Sequence, residues 1–435
     1  MHLICSFTLT RRRFCQFPKM KVLEAPTTFD RVQILPIAIC GAIALMDGYD
    51  AQSMGYVAPA LSADLHISRA ALVPLLSSGL VGMVGGALVF GPIADRIGRK
   101  SVLIISTIIF SVMSLATAAA GSAQMVMIFR LLTGFGLGGA LPNAIALTTE
   151  FAPKKYEATA VTSMMCGFTL GAAFGGFVAA ALISRFGWQA VFVVGGVIPL
   201  LIGALAACFL PSASRTVGPH DNRKPNAFLV KELFREGRAK VTLLMWLCFF
   251  MNLMLIFFLN SWLPTVITDR GINVRTAILI TSLFQIGGTF GAVILGRICD
   301  KGLLSPFYML ALVYFGAAVT TILIGQSGAS IAALIVTVTA SGFCVTGGQT
   351  ASNAVAAGYY PAAIRSTGVG WCLGIGRVGS IIGPVLGGAL LIWAANQVSQ
   401  VFWITGVPAL TAMVCAFFAG HERQRMQARR EAQAR

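Results

Sequence analysis

Charge is what this sequence has least of. Only 11% of its 435 residues are Asp, Glu, Lys or Arg, whereas 57% are apolar, and the mean hydropathy is +0.81. A water-soluble fold of that size cannot hide so much apolar surface, so lipid must be the solvent for most of the chain. Acidic residues are the scarcer sign, 15 against 32 basic ones, for a formal charge of +17. The basic residues are scattered over separate short segments, which argues against a nucleic-acid partner and for the positive-inside pattern of a membrane protein. Histidine is scarce too: His2, His66, His220 and His421 stand far apart and outside the apolar runs, so no metal centre and no cofactor are expected. The ten cysteines lack paired extracellular spacing and are expected as free thiols packed like small apolar groups. No nucleophile motif or nucleotide-binding loop is present, which argues against an enzyme.

What is present is a series of long apolar runs. At about 20 residues per span, the length accommodates roughly twelve membrane helices. The runs place them near 33–57, 71–91, 101–120, 124–148, 159–183, 188–210, 241–265, 277–296, 305–325, 329–352, 366–390 and 398–419. With both termini on the cytoplasmic side, 26 of the 32 Lys and Arg fall in inside segments. Four (Arg69, Arg185, Arg270, Arg275) lie outside and two (Arg130, Arg377) within spans, and this asymmetry sets the expected orientation. The expected organisation is an extension over 1–30, a six-helix bundle over 31–210, a Pro-containing central loop over 211–240, a second bundle over 241–420 and a cytoplasmic tail over 421–435. Residues 1–30 contain Arg11-Arg12-Arg13 but no apolar run leading to a small-residue cleavage site, so they are not read as a signal peptide. Residues 1–19 are expected to be a disordered tail or to precede a start at Met20.

The two halves echo each other. Gly91-Pro92-Ile93-Ala94-Asp95-Arg96-Ile97-Gly98-Arg99-Lys100 has a shorter copy 205 positions later in Gly296-Arg297-Ile298-Cys299-Asp300-Lys301. Each copy puts a Gly four residues before an Asp and a basic residue after it, the composition of a loop leaving the membrane. Gly134-Phe135 and Gly342-Phe343, Pro153 and Pro361, and Thr159 and Thr367 repeat at a spacing of 208. Together they predict an all-α membrane protein whose twelve spans form two pseudo-symmetric six-helix bundles, the usual build of a secondary transporter. Glycines at four-residue spacing (Gly82 and Gly86; Gly134 and Gly138; Gly167, Gly171 and Gly175; Gly379, Gly383 and Gly387) are expected at close helix–helix contacts.

The charges inside the spans carry the functional reading. Asp47 and Asp50 sit near the middle of the first span, three residues apart and so on adjacent positions of one helix face. A carboxylate facing lipid costs about 2.5–3.5 kcal/mol even on lenient insertion scales, so this face must look into a water-accessible cavity. Two carboxyls this close in a poorly solvated site do not both ionise readily, and at least one should exchange a proton near neutral pH. Arg377, in the eleventh span among Gly374, Gly376 and Gly379, is the complementary charge. It either pairs with one of the acids or, when they are protonated, offers its planar fork to a carboxylate ligand. Arg130 in the fourth span reads either as part of this site or as a snorkelling anchor. Glu150 ends the same span and is expected to pair with loop cations. Gln52, Asn143, Asn252, Asn260, Gln285, Gln349 and Asn353 are polar positions able to line a pathway, with Tyr49 and Trp371 among the nearby aromatics.

At these residues the chain resembles the major facilitator superfamily and, within it, the aromatic acid:proton symporter family. The general marks are the segment from Gly91 to Lys100 and Arg130 with its following glycines. The narrower ones are Asp47-Gly48-Tyr49-Asp50, Cys166-Gly167-Phe168-Thr169-Leu170-Gly171, Thr346-Gly347-Gly348-Gln349 and Arg365-Ser366-Thr367-Gly368 leading to Arg377. The resemblance implies uptake of an aromatic carboxylate together with protons across a bacterial inner membrane. It implies that Asp47 and Asp50 are acids needed for uptake, with Arg377 the eleventh-span arginine. It also implies that Gly91, Asp95, Arg96, Gly98, Arg99, Asp300 and Lys301 belong to conformational-switch loops. The expected substrate and proton site is Asp47, Asp50, Arg377, Arg130, Tyr49, Gln349 and Asn143, in a chain that needs no second copy. One departure is Glu157 after Tyr156, where the family usually carries Arg. The rival readings are another cargo on the same fold, such as an aliphatic carboxylate, a sugar or a drug, and a membrane sensor that has lost transport.

Overall fold

The computed structural model describes residues 31–153, 156–210, 228–300, 305–361, 364–394 and 397–434. Six long helices open it: α1 (Arg31–Asp64), α2 (Arg69–Ile97), α3 (Arg99–Ala118), α4 (Ala123–Phe151), α5 (Glu157–Phe186) and α6 (Gln189–Phe209). After the short α7 (Phe228–Glu232) come α8 (Ala239–Asp269), α9 (Val274–Asp300), α10 (Pro306–Gln326), α11 (Ile331–Tyr359), α12 (Arg365–Trp393) and α13 (Val398–Ala434). All but α7 are long and apolar enough to cross a membrane, which makes twelve among the described residues. In hydrocarbon only a helix satisfies every backbone N–H and C=O within its own segment, so each apolar run becomes one. Where the chain turns, Ser68, Ser122 and Ser330 accept the first free amides of α2, α4 and α11 at 3.3–3.4 Å. The expected extension over 1–30 lies outside the described residues, as does most of the central loop. The tail continues α13 as helix.

Close helix pairs repeat in the two halves. In the first, α1 packs on α5 and α2 on α4; in the second, α8 packs on α12 and α9 on α11. Glycines make the approach possible. A Cβ built at Gly171 would stand 1.8 Å from the backbone oxygen of Leu45, and one at Gly82 would stand 1.9 Å from that of Leu131. Shifting Gly82 by 205 positions gives Gly287, whose Cβ would meet the Thr339 oxygen at 2.1 Å, so the duplication extends to packing. Gly171→Val should therefore prevent folded protein from accumulating in the membrane, whereas Gly374→Ala, with nothing within 4 Å of its Cβ position, should not. Detergent-extracted material run on a sizing column measures both; equal monodisperse yields would contradict the assignment.

The structure corrects one reading. The segment 91–100 is not a loop: α2 runs through Ile97, breaks only at Gly98 (φ +91°, ψ 148°), and α3 starts at Arg99. A helix that continues past the hydrocarbon keeps its own backbone bonded, so leaving lipid requires no unwound stretch. The turn itself falls at the one residue that tolerates such a dihedral pair. Gly91 and the exposed Arg96 accordingly lie in the last turns of α2, as does Asp95. Likewise Gly296 to Asp300 close α9, and Lys301 lies outside the described residues.

Contacts between the two bundles lie at mid-depth and toward the face that carries the α1–α2 and α8–α9 turns. There Arg69 pairs with Asp269 at 2.8 Å, Gly55 abuts the Asn260 backbone, and Gly388 abuts Val73. At mid-depth the Thr289 hydroxyl donates to that of Thr169 at 3.0 Å, linking α9 to α5. These contacts close that face. On the opposite face, where α1 begins and α13 ends, Arg99 pairs with Glu150 within the first bundle.

Candidate functional site

Four residues of α1 point in three directions, and their helical spacing explains why. Gly48 turns to α5, where a Cβ would strike the Phe168 backbone. Tyr49 turns to α5 and α6: its hydroxyl donates to the Val191 carbonyl at 2.8 Å and its ring lies against Gly175 and Gly195. Asp50 turns to α4, and Asp47 is left facing the core near the junction with the second bundle.

Asp50 is taken by Arg130. The guanidinium donates from Nη1 to Oδ1 at 2.9 Å and from Nη2 to Oδ2 at 2.5 Å, a two-pronged pair in which both side chains are under 5% exposed. The Phe192 ring of α6 lies 5.2 Å from Arg130 Cζ and covers the pair. Arg130 therefore points inward, and the snorkelling alternative does not hold: a neighbouring carboxylate satisfies the charge that snorkelling would otherwise take to water. Glu150 pairs with a cation near the α2–α3 turn, Arg99, as expected.

Asp47 is 1% exposed, and neither of its carboxyl oxygens accepts a hydrogen bond. The cation acting on it is Arg377 of α12, in the other bundle and without a direct bond. The Arg377 side chain donates to the sulfur of Met83 on α2 at 2.9 Å and keeps part of its surface accessible. Gly374, three residues earlier on α12, has open space where a side chain would stand. The structure thus sets a buried carboxyl without a donor and a guanidinium without a carboxylate close to each other. A thioether is a weak acceptor, so Arg377 can exchange it for an anion at little loss.

The remaining candidates divide by position. Asn143 is buried on α4 and its amide donates back to the Gly139 carbonyl at 2.7 Å. Gln349 is half-buried on α11 and accepts from Asn252 Nδ2 at 2.8 Å. The Arg69–Asp269 pair was not foreseen, because Arg69 reads as one more exterior cation. A signal existed: the 205-residue offset carries Asp64 to Asp269. In the first half Asp64 accepts the Trp188 indole N–H at 2.8 Å within its own bundle, whereas its counterpart crosses to the other.

Twelve spans in two matching bundles, with one buried ion pair inside the first bundle and Asp47 and Arg377 on either side of the boundary between them, define a membrane transporter and not an enzyme. The Major Facilitator Superfamily profile matches residues 40–327 and 245–435, and the chain belongs to that family. It is 38% identical to a gallate transporter of Pseudomonas putida, over 90% of this chain and 93% of that one. Identity to the 4-hydroxybenzoate transporter PcaK of the same organism is also 38%, with the same coverage. A 3-(3-hydroxy-phenyl)propionate transporter of Escherichia coli is 35% identical over 93% and 98% of the two chains. Among solved structures, a bacterial homolog of the human lysosomal transporter Spinster, inward-facing and unoccupied, superposes with a TM-score of 0.77 at 19% identity, covering 92% of this chain and 99% of that one. The D-xylose-proton symporter gives 0.72 at 18% identity, covering 88% and 97%. At these identities the two structures support the fold alone.

Proposed function

We propose that the protein imports an aromatic carboxylate together with protons, by alternating access of its two bundles around Asp47 and Arg377. The observation that carries this reading is Asp47, a buried carboxyl with no donor on either oxygen beside a guanidinium that lacks a carboxylate. An ionised carboxylate so placed would cost several kcal/mol, so in this state Asp47 holds a proton. Neutral Asp47 leaves Arg377 to the carboxylate of the cargo. When cargo and proton leave, the two side chains attract each other and the empty carrier resets. Asp50 and Arg130 already neutralise each other and hold α1 against α4; Tyr49 holds the same stretch of α1 against α5 and α6. Asn143 and Gln349 supply amides at the level of the charges.

The aromatic cargo is supported by the names of the relatives, which include gallate, 4-hydroxybenzoate and hydroxyphenylpropionate transporters. The distribution of Lys and Arg supports cytoplasmic termini in a bacterial inner membrane. A single bundle pair contains the whole site, so a monomer suffices. One proton moved with one monoanion is electroneutral, and each unit of pH gradient then sustains about tenfold accumulation, or about 1.36 kcal/mol. A second proton would add about 2.3 kcal/mol per 100 mV of membrane potential. Cells expressing the protein should concentrate labelled 4-hydroxybenzoate and lose the accumulated label when a protonophore is added. Accumulation that persists with the protonophore defeats the coupling claim.

A further inference from the structure

In the second bundle a line of amides stands at the depth of Arg377. Asn252 of α8 is fully buried; its Nδ2 donates to Gln349 Oε1 at 2.8 Å and to the Val345 carbonyl at 3.3 Å. Gln349 in turn points its Nε2 at Asn353 Oδ1, one turn further along α11, at 3.4 Å. The first two contacts lock the orientation of the Gln349 amide. The last is close to the limit of a hydrogen bond, and both of its residues are half-buried. Depth is fixed by α12: a Cβ at Gly376 would lie 2.4 Å from Leu253 and 3.3 Å from the Phe249 oxygen, so Arg377 follows the turn that packs against the stretch of α8 bearing Asn252.

We propose that Gln349 and Asn353 read a ring hydroxyl of the cargo, with Asn252 as the residue that positions Gln349. The inference rests on the aromatic-carboxylate reading above and adds the substituent that the site selects. A phenolic hydroxyl both donates and accepts. Inserted between Gln349 Nε2 and Asn353 Oδ1, it replaces one long contact with two hydrogen bonds of ordinary length. Arg377 holds the carboxylate at one end of the ring while the amides hold the hydroxyl at the other. A ring without the hydroxyl leaves the long contact as it is and gains neither bond. Sites built to hydrogen-bond a substrate hydroxyl discriminate strongly against the analogue that lacks it.

The test is competition in cells. Uptake of labelled 4-hydroxybenzoate is measured against increasing unlabelled benzoate or unlabelled 4-hydroxybenzoate, for the wild type, Gln349→Leu and Asn353→Ala, each normalised to protein in the membrane. In the wild type, benzoate should require at least about tenfold more than 4-hydroxybenzoate for half-inhibition. In either variant that ratio should fall toward one. Asn353→Ala, which removes only the long contact, stands in if Gln349→Leu fails to reach the membrane. A wild-type ratio near one, or a ratio unmoved in the variants, overturns the hydroxyl-reading role while leaving aromatic transport intact. If the wild type takes up no 4-hydroxybenzoate, the cargo reading fails first and this inference fails with it.

Discussion

Asp47→Asn should abolish uphill accumulation of 4-hydroxybenzoate while leaving exchange of labelled for unlabelled substrate across the membrane. Asparagine imitates the protonated acid: it is neutral, nearly the same size, and leaves Arg377 free for the anion in both orientations. The loaded carrier can still turn over, so exchange survives. The empty carrier cannot form the Asp47–Arg377 attraction and no longer releases a proton, so the pH gradient performs no work on the cargo. With two units of gradient across proteoliposomes, the wild type should reach about a hundredfold accumulation for one proton per anion, and Asp47→Asn about onefold. The pH dependence has a definite sign. Wild-type uptake from outside falls as external pH rises, because fewer empty carriers are protonated, whereas exchange by Asp47→Asn should be flat. If Asp47→Asn still builds a gradient, another group carries the proton.

Arg377 gives the complementary control. Lysine keeps the charge but loses the fork, so Arg377→Lys alters how the carboxylate is held while the attraction to ionised Asp47 persists. Asp47 and Arg377 belong to opposite bundles and act on each other at mid-depth without a direct bond, while the Arg69–Asp269 pair closes one face. A site formed between halves that move is assembled in some orientations and pulled apart in others. That allows a proton on one half to control an anion held by the other.

The fold was largely legible from sequence because lipid imposes a simple rule. Each span is an uninterrupted apolar run, and all twelve runs became helices at or near the expected positions. The duplication was legible for the same reason, since Gly91 and Gly296 lie at the ends of equivalent helices. The pairing of charges was not. Arg130 and Asp50 are 80 positions apart on α4 and α1, and which face of α4 meets α1 depends on packing that no periodicity reveals. Sequence therefore left Arg377 as a partner for either acid, whereas the structure separates the two: Asp50 has two donors on its oxygens and Asp47 has none. The exits from the membrane were misread as loops because Gly, Pro and charges are common to loops and to helix ends past the hydrocarbon. Only Gly98, with its positive φ, marks the break.

The separation of the two acids leads to the second large effect. Arg130→Leu should strongly destabilise the first bundle, because Asp50 remains buried at 0% exposure with no cation to balance it. Removing one partner of a buried ion pair typically costs about 3–5 kcal/mol, much of it the penalty on the charge left behind. Asp50→Asn should cost a comparable amount by stranding Arg130 under Phe192. The double variant Asp50→Asn with Arg130→Leu removes both charges and should recover most of the loss, since replacing a buried pair with neutral groups is often close to neutral. Thermal unfolding of the detergent-purified proteins closes the cycle, and an additive double variant would mean that the pair contributes no coupling. The two acids should also differ in kind. Asp47→Asn should keep the wild-type melting temperature and lose coupling, because it removes no hydrogen bond, whereas Asp50→Asn should lose stability first. Equal effects of the two substitutions on stability would contradict the division of labour within Asp47-Gly48-Tyr49-Asp50.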